Sequence, residues 1–247
     1  PVVILISGSG SQDRDETIMG HKPFLIISDY LNRQNLAVLR VDDRGAGETK
    51  TKPSELKYTT ADRITDVQSY IQFVRDSIGD KHPIYLLGHS EGARIAAEVA
   101  VLDTQVKKII ALGPALVNGA MINKYQNTNG LNKILKDSEF IDTYLTLHDS
   151  IIDISTQLLT GKLKLSQIDS SIVFQLNQWK KHTPKKQSKK VKKRFEKVIK
   201  TDFDTYILHQ YRQLLSNHWM LYFLSDDPLI WWTEIQQPCL LINGELD

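Results

Sequence analysis

The sequence predicts an α/β fold, a mostly parallel sheet flanked by helices and interrupted by a long helical insertion. Three observations carry this reading. Short apolar runs alternate with helical patterns through the first half of the chain. The run Ile84-Tyr85-Leu86-Leu87 leads into Gly88-His89-Ser90-Glu91-Gly92, and an alanine-rich helix former follows at once. After a long stretch with few strand signals, a strand-like run returns at Pro238–Asn243. Strands alternating with helices produce a parallel sheet covered on both faces.

Taken in order, Val2–Ile6 reads as a buried strand and Ser7–Glu16 as a polar, glycine-bearing loop. Pro23–Arg33 has helical spacing, with Phe24, Ile27 and Leu31 on one face. Leu36–Val41 is the next strand, and Asp42-Asp43-Arg44-Gly45-Ala46-Gly47 a turn. Thr60 is placed to cap a helix over Ala61–Ser77 that buries Ile64, Val67, Ile71 and Val74. A strand ending at Gly88, a helix to about Leu102 and a strand at Lys108–Leu112 complete the series. From Asn118 to Ile230 aromatic and leucine positions fall at helical spacings, as in Tyr206, His209, Gln210, Gln213 and Leu214. The expected organisation is a core over 1–117, a helical cap insertion over 118–231 and a return to the core over 232–247. Pro238–Asn243 should then be a short buried strand.

The chemistry centres on Ser90. A strand that ends in a tight turn and re-enters a helix can hold a serine at its apex in a strained conformation, exposed for nucleophilic attack. Gly88 and Gly92 fit positions where a side chain would meet neighbouring backbone. The small side chains of Ala93, Ala96, Ala97 and Ala100 let the helix pack closely on the sheet, with its positive N-terminal end toward the serine.

Composition narrows the class. The chain has 247 residues, 41% hydrophobic and 24% charged, the balance of a soluble globular protein. No apolar run approaches the ~20 residues that span a bilayer. Cys239 is the one cysteine, which excludes an intrachain disulfide and a cysteine-rich metal site. Pro1 leads directly into an apolar strand and Asp247 closely follows another, so the chain is expected to be a fragment of a longer protein. A leader sequence would then be invisible here, and compartment and oligomeric state stay open.

Charge is unevenly distributed. Lys180 to Lys200 holds eleven of the 31 lysines and arginines and one acid, Glu196, leaving 20 basic against 28 acidic residues elsewhere. Such a segment could bind nucleic acid or an anionic membrane. However, Val191, Phe195, Val198 and Ile199 form an apolar stripe through its second half, and few aromatics or glycines are interleaved for base stacking. The reading is a solvated face of an insertion helix, preceded by a mobile loop around Pro184. No nucleic-acid partner is expected.

Acyl transfer by a serine needs a base, an orienting acid and donors for the oxyanion. The loop Ser7-Gly8-Ser9-Gly10-Ser11 follows the first strand and can turn backbone N–H groups inward. The backbone amides of Ser9 and Glu91 are the candidate donors. A phosphate-binding loop would need a lysine followed by Ser or Thr opening a helix, which is absent. Asp247 follows the late strand and is the candidate acid, at the carboxyl edge of the sheet. The base is missing from the pattern. His89 adjoins the serine, where neighbouring side chains on a tight turn point apart, and His209 and His218 lie in the insertion. In the order serine, acid, histidine, the base is expected beyond residue 247. No metal or cofactor is called for.

These stretches together resemble bacterial α/β-hydrolase-fold serine esterases of the acyl-CoA thioesterase-like and dienelactone-hydrolase-like group. The resemblance rests on Ile6–Glu16, Gly20–Phe24, Leu39–Gly47, Gly88–Gly92 and Pro238–Asp247. It covers the first ~115 and last ~15 residues, with the insertion alike only in being helical. It implies an α/β-hydrolase fold, Ser90 as nucleophile and Asp247 as triad acid. It further implies a small-molecule ester substrate with a short acyl chain, cleaved through an acyl-serine intermediate, and an insertion acting as a lid over the acyl pocket. Two other functions fit the residues: a serine peptidase on small peptides, and a non-catalytic binding protein that uses the basic insertion.

Overall fold

Every residue of β1, Val2–Ile6, is buried, as expected of a strand with neighbours on both edges and helices on both faces. In the computed structural model, which describes residues 1–52, 57–135 and 137–244, five parallel strands lie in the order β2-β1-β3-β4-β5. The others are β2 (Ala37–Leu39), β3 (Ile84–His89), β4 (Val106–Leu112) and β5 (Cys239–Ile242). Val2 pairs with Ile84 and Ile6 with Gly88, so the ends of β1 and β3 are level at the carboxyl edge. Because β2 and β3 flank β1 on opposite sides, the direction in which strands are added to the sheet reverses between β1 and β3. That is the topological switch point where open α/β sheets place their sites.

The two-residue period of β1 sorts its side chains. Val2, Ile4 and Ile6 join Ile64, Val67, Ile71 and Val74 of α2 (Thr60–Ile78) and Ile95, Ala96 and Val99 of α3 (Glu91–Leu102). Val3 and Leu5 face the other way, onto Phe24 of α1 (Pro23–Arg33) with Leu87. The start of α2 differs from expectation by one residue. Its N-cap is Thr59, whose N–H and hydroxyl both donate to the Asp62 carboxylate (2.8 and 3.1 Å). Thr60 instead turns its hydroxyl inward to Glu91. The second strand is shorter than expected and the fourth begins earlier, at Val106.

The last strand departs further. β5 is exposed along its length, with Leu240 56% and Leu241 52% accessible. Among the described residues it pairs only with β4, as an edge strand. Its apolar run looks like a central strand, but burial depends on what covers it. The adjoining segment is fastened by Trp232 Nε1–H donating to the Ala115 carbonyl (3.2 Å) and Gln237 Nε2–H to that of Ala100 (2.7 Å).

Contacts divide the chain into two units, Pro1–Val117 with Asp227–Asp247, and Asn118–Asp226. The short helix α10 (Leu229–Glu234) falls in the sheet unit. The second unit is helical: α4 (Gly119–Leu135), α5 (Ser138–Leu159), α6 (Ile168–His182), α7 (Lys185–Ile199), α8 (Phe203–Ser216) and α9 (His218–Ser225). Its core is built on α5, whose Phe140, Tyr144, Leu147 and Ile151 are buried among Ile172, Phe195, Phe203 and Ile207. Asp137, Asp202 and Asn217 cap α5, α8 and α9 through their side-chain oxygens. On α8 the buried stripe is Phe203, Ile207, Tyr211 and Leu215. Of the residues picked out from sequence, His209, Gln210 and Gln213 are exposed, while Tyr206 and Leu214 are partly buried against the core beside that stripe.

The basic segment is helix, with Val191 and Phe195 buried, while Val198 is 49% exposed and outside the stripe. A tight link replaces the mobile loop expected at Pro184. The Thr183 amide donates to the Trp179 carbonyl (2.8 Å), and the Pro184 carbonyl accepts from the Ser188 amide (3.0 Å). Several of its cations meet acids of the same unit: Lys190 and Arg194 reach Asp137, and Lys180 and Lys192 reach Asp204.

Candidate active site

Ser90 sits between β3 and α3 at φ 53° and ψ −117°, a conformation that side-chain-bearing residues rarely adopt. Close packing of backbone on backbone holds it there. A Cβ on Gly88 would lie 2.2 Å from the Gly92 carbonyl oxygen, and one on Gly92 would lie 2.1 Å from that of Ile6. The Ser90 amide donates to the Leu112 carbonyl at 2.8 Å, tying the turn to the end of β4. Among the described residues the Ser90 hydroxyl has no hydrogen-bond partner. The turn therefore presents an oxygen at the switch point, on a rigid base.

The loop after β1 is clamped against this turn from two sides. On one side, the buried Arg63 guanidinium donates to the carbonyls of Gly8 (2.7 Å) and Ser7 (2.9 Å) and to the Ser7 hydroxyl (2.7 Å). It also pairs with the Glu91 carboxylate (3.3 Å), which accepts from Thr60 Oγ1 at 2.6 Å. Asp43 closes the cluster, accepting from Ser7 Oγ (2.7 Å) and the Gln12 amide (3.1 Å) and lying 3.4 Å from Arg63. Burial raises the Asp43 carboxyl above the usual carboxylate range, and Arg63 opposes that rise.

On the other side stands Glu16, 2% exposed and itself at φ 51°. Its Oε1 accepts the Gly8 amide (2.7 Å) and lies 2.8 Å from His89 Nδ1. Gly8 is thus fixed through both its N–H and its C=O. Its place is also crowded: an added Cβ would meet Glu16 Oε1, His89 Nδ1 and the Ser90 Cβ at 3.3–3.4 Å. A third acid steadies the turn after β2. Asp42 accepts the Arg14 and Glu48 amides (2.6 and 2.9 Å), and the Arg14 guanidinium holds its carboxyl far below the usual range.

Of the residues singled out from sequence, the structure brings Ser90, Glu91 and the loop of Ser9 to one edge. Ser9 is exposed and, among the described residues, its amide has no acceptor. The Glu91 amide is the first of α3, where the helix carries partial positive charge. The Glu91 side chain points into the Arg63 cluster. Asp247 lies outside the described residues. His89 is engaged by Glu16, and among the described residues no histidine is hydrogen-bonded to Ser90. Sequence reading missed Arg63 and Glu16. For Arg63 a signal existed, since Arg63, Val67, Tyr70 and Val74 share a helix face, and an arginine on an apolar stripe calls for buried acceptors. Glu16 had none, because it meets His89 across 73 residues of chain.

A parallel sheet with a strained serine between strand and helix at its carboxyl edge defines an α/β hydrolase. The sequence model of the family described as Serine aminopeptidase, S33 matches residues 24–157, more than half of the chain, and the chain belongs to that family. It is 35% identical over 100 residues to Esterase EstD of Thermotoga maritima, a match covering 40% of this chain and 24% of that protein. The chain thus matches about a quarter of the length of this curated relative. Among solved structures, proline iminopeptidase of Mycobacterium smegmatis is matched across 100% of this chain and 73% of its own, at 12% identity and a TM-score of 0.51, a likeness of fold. The Pyrococcus furiosus esterase PF2001 is matched over 55% of this chain and 47% of its own, at 20% identity and a TM-score of 0.42. Among the described residues no helix is long and apolar enough to cross a membrane.

Proposed function

We propose that this protein is a serine hydrolase that cleaves small carboxylic esters with short acyl chains through an acyl-serine intermediate. The observation that carries the proposal is Ser90, held at φ 53° between β3 and α3 with its hydroxyl unpartnered among the described residues. Ser90 Oγ attacks the ester carbonyl, and a histidine takes the hydroxyl proton and later returns it to the leaving alkoxide. Asp247 orients that histidine, which follows it in the chain order of this fold. The Ser9 and Glu91 amides receive the oxyanion. Arg63 and Glu16 support this role by fixing the residue before Ser9 on both sides.

The test is hydrolysis of p-nitrophenyl acetate and labelling by a fluorophosphonate, using protein that carries the residues following Asp247. Both should disappear in Ser90→Ala, and undiminished turnover in that variant would overturn the assignment. A second reading, peptidase action on small peptides, is favoured by the family's description as a serine aminopeptidase. Faster turnover of an aminoacyl p-nitroanilide than of the matched ester would select it.

A further inference from the structure

The helical unit contains a cavity of about 300 Å³ lined by residues of α4, α5, α8 and α9 together with Asn217, within the size range of small-molecule pockets. It lies wholly inside that unit and is independent of the hydrolase reading. Its polar lining includes the side-chain amides of Asn123, Asn127, Gln210 and Gln213, and Leu214 and Met220 add apolar surface. No lining residue carries a formal charge. The charges next to His148, Lys124 and Asp149, pair with each other at 2.6 Å.

A directed hydrogen-bond chain also borders this space. Tyr144 Oη lies 3.1 Å from Tyr211 Oη, which lies 2.6 Å from His148 Nδ1, and all three residues are buried. His148 is 1% exposed, and its Nε2 has no partner among the described residues. Burial pulls the ring down to about 4, so it is neutral near pH 7. Each phenol has a single proton. If Tyr144 donates to Tyr211 and Tyr211 to Nδ1, one group is left over, the Nε2–H. If the chain runs the other way, both the Nε2 lone pair and the Tyr144 proton are stranded. The first arrangement leaves fewer unmet groups, so the ring presents a buried donor that lacks an acceptor.

We propose that this cavity binds a small neutral molecule whose acceptor oxygen, a hydroxyl or a carbonyl, displaces a lining side chain to take the His148 Nε2–H bond, which is closed to solvent in the free protein. A carboxylate would find no cation among the lining groups, and an ammonium no anion, so both would lose hydration without compensation. A neutral oxygen loses far less and relieves the unmet donor. The flanking amides, which donate and accept, suit the remaining polar edge of such a ligand.

The experiment uses the whole chain and three probes of one shape: cyclohexanol, cyclohexanecarboxylate and cyclohexylammonium. The readout is the ¹⁵N and ¹H resonances of the His148 ring. Cyclohexanol should shift the Nε2–H signal saturably and at least ~10-fold more tightly than either charged probe, the discrimination one desolvated charge commonly brings. His148→Phe should weaken cyclohexanol binding by a similar factor, read by the thermal shift it produces. Where that variant does not fold, Met220→Trp should block the probe while leaving the His148 resonances in place. Equal binding of all three probes would overturn the proposal, as would binding untouched by either substitution. So would an Nε2–H signal satisfied by an ordered water alone and indifferent to every probe.

Discussion

Arg63 holds the Gly8 carbonyl at 2.7 Å, and through that bond a helix on one face of the sheet sets the loop that borders Ser90. The same guanidinium reaches Glu91, the residue after the proposed nucleophile, at 3.3 Å. Both amides proposed for the oxyanion therefore neighbour groups that Arg63 positions. Arg63→Met should lower kcat by ~10²-fold, the scale of a displacement of about an ångström at a reacting centre, while Ser90 still reacts with a fluorophosphonate. Steady-state kinetics and labelling on the same preparation check this. Arg63→Lys, which keeps the charge but loses the fork, should recover part of the loss.

Gly92→Ala tests the packing of the turn. The new Cβ would lie 2.1 Å from the Ile6 carbonyl and 2.5 Å from that of Ser7, both backbone atoms that a rotamer change cannot relieve. Denaturant titration should show a loss of more than ~3 kcal/mol, beyond the usual range for single substitutions. Gly130→Ala, on α4 with open space around its Cβ position, should instead gain up to ~1 kcal/mol from helix propensity.

Two adjacent threonines should behave differently. Asp62→Ala removes the acceptor of both Thr59 donors and should cost ~1 kcal/mol of stability, as loss of a helix cap does. The turn that holds Ser90 would be unaffected. Thr60→Val deletes the 2.6 Å bond to Glu91 and removes one of the donors to a buried carboxylate that keeps Arg63, at a cost of ~1–3 kcal/mol. Activity should fall together with stability in the second variant only.

The buried His148 makes stability depend on pH. Its folded pKa of about 4 lies below the ordinary histidine value, so the unfolded chain takes up the proton first as pH falls. Stability from this site is full above about pH 6.5 and is lost toward pH 4, by at most about 3 kcal/mol. Urea unfolding midpoints measured across that window should decline, and His148→Phe should flatten the decline.

Much of the sheet unit was legible because local rules govern it. β1 and α1 have the bounds read from their periodicity, and α3 ends where expected, at Leu102. The glycines at 88 and 92 stand where the turn forbids a Cβ. Periodicity was less informative in the insertion. On α8 the true stripe, Phe203, Ile207, Tyr211 and Leu215, includes a tyrosine whose hydroxyl faces a buried histidine, and the flank beside it carries polar residues at the same spacing.

What the sequence determined by itself was the kind of fold and the tight turn that holds Ser90 between strand and helix, since strand period, helix period and turn sterics act over a few residues. The tertiary structure decided the partners: Arg63 with Gly8 and Glu91, Glu16 with His89, and His148 with Tyr211. It also decided that, among the described residues, β5 is an exposed edge. A buried polar group must find its partner wherever the fold brings one, here 28 to 73 residues away in sequence, and no local pattern encodes that distance.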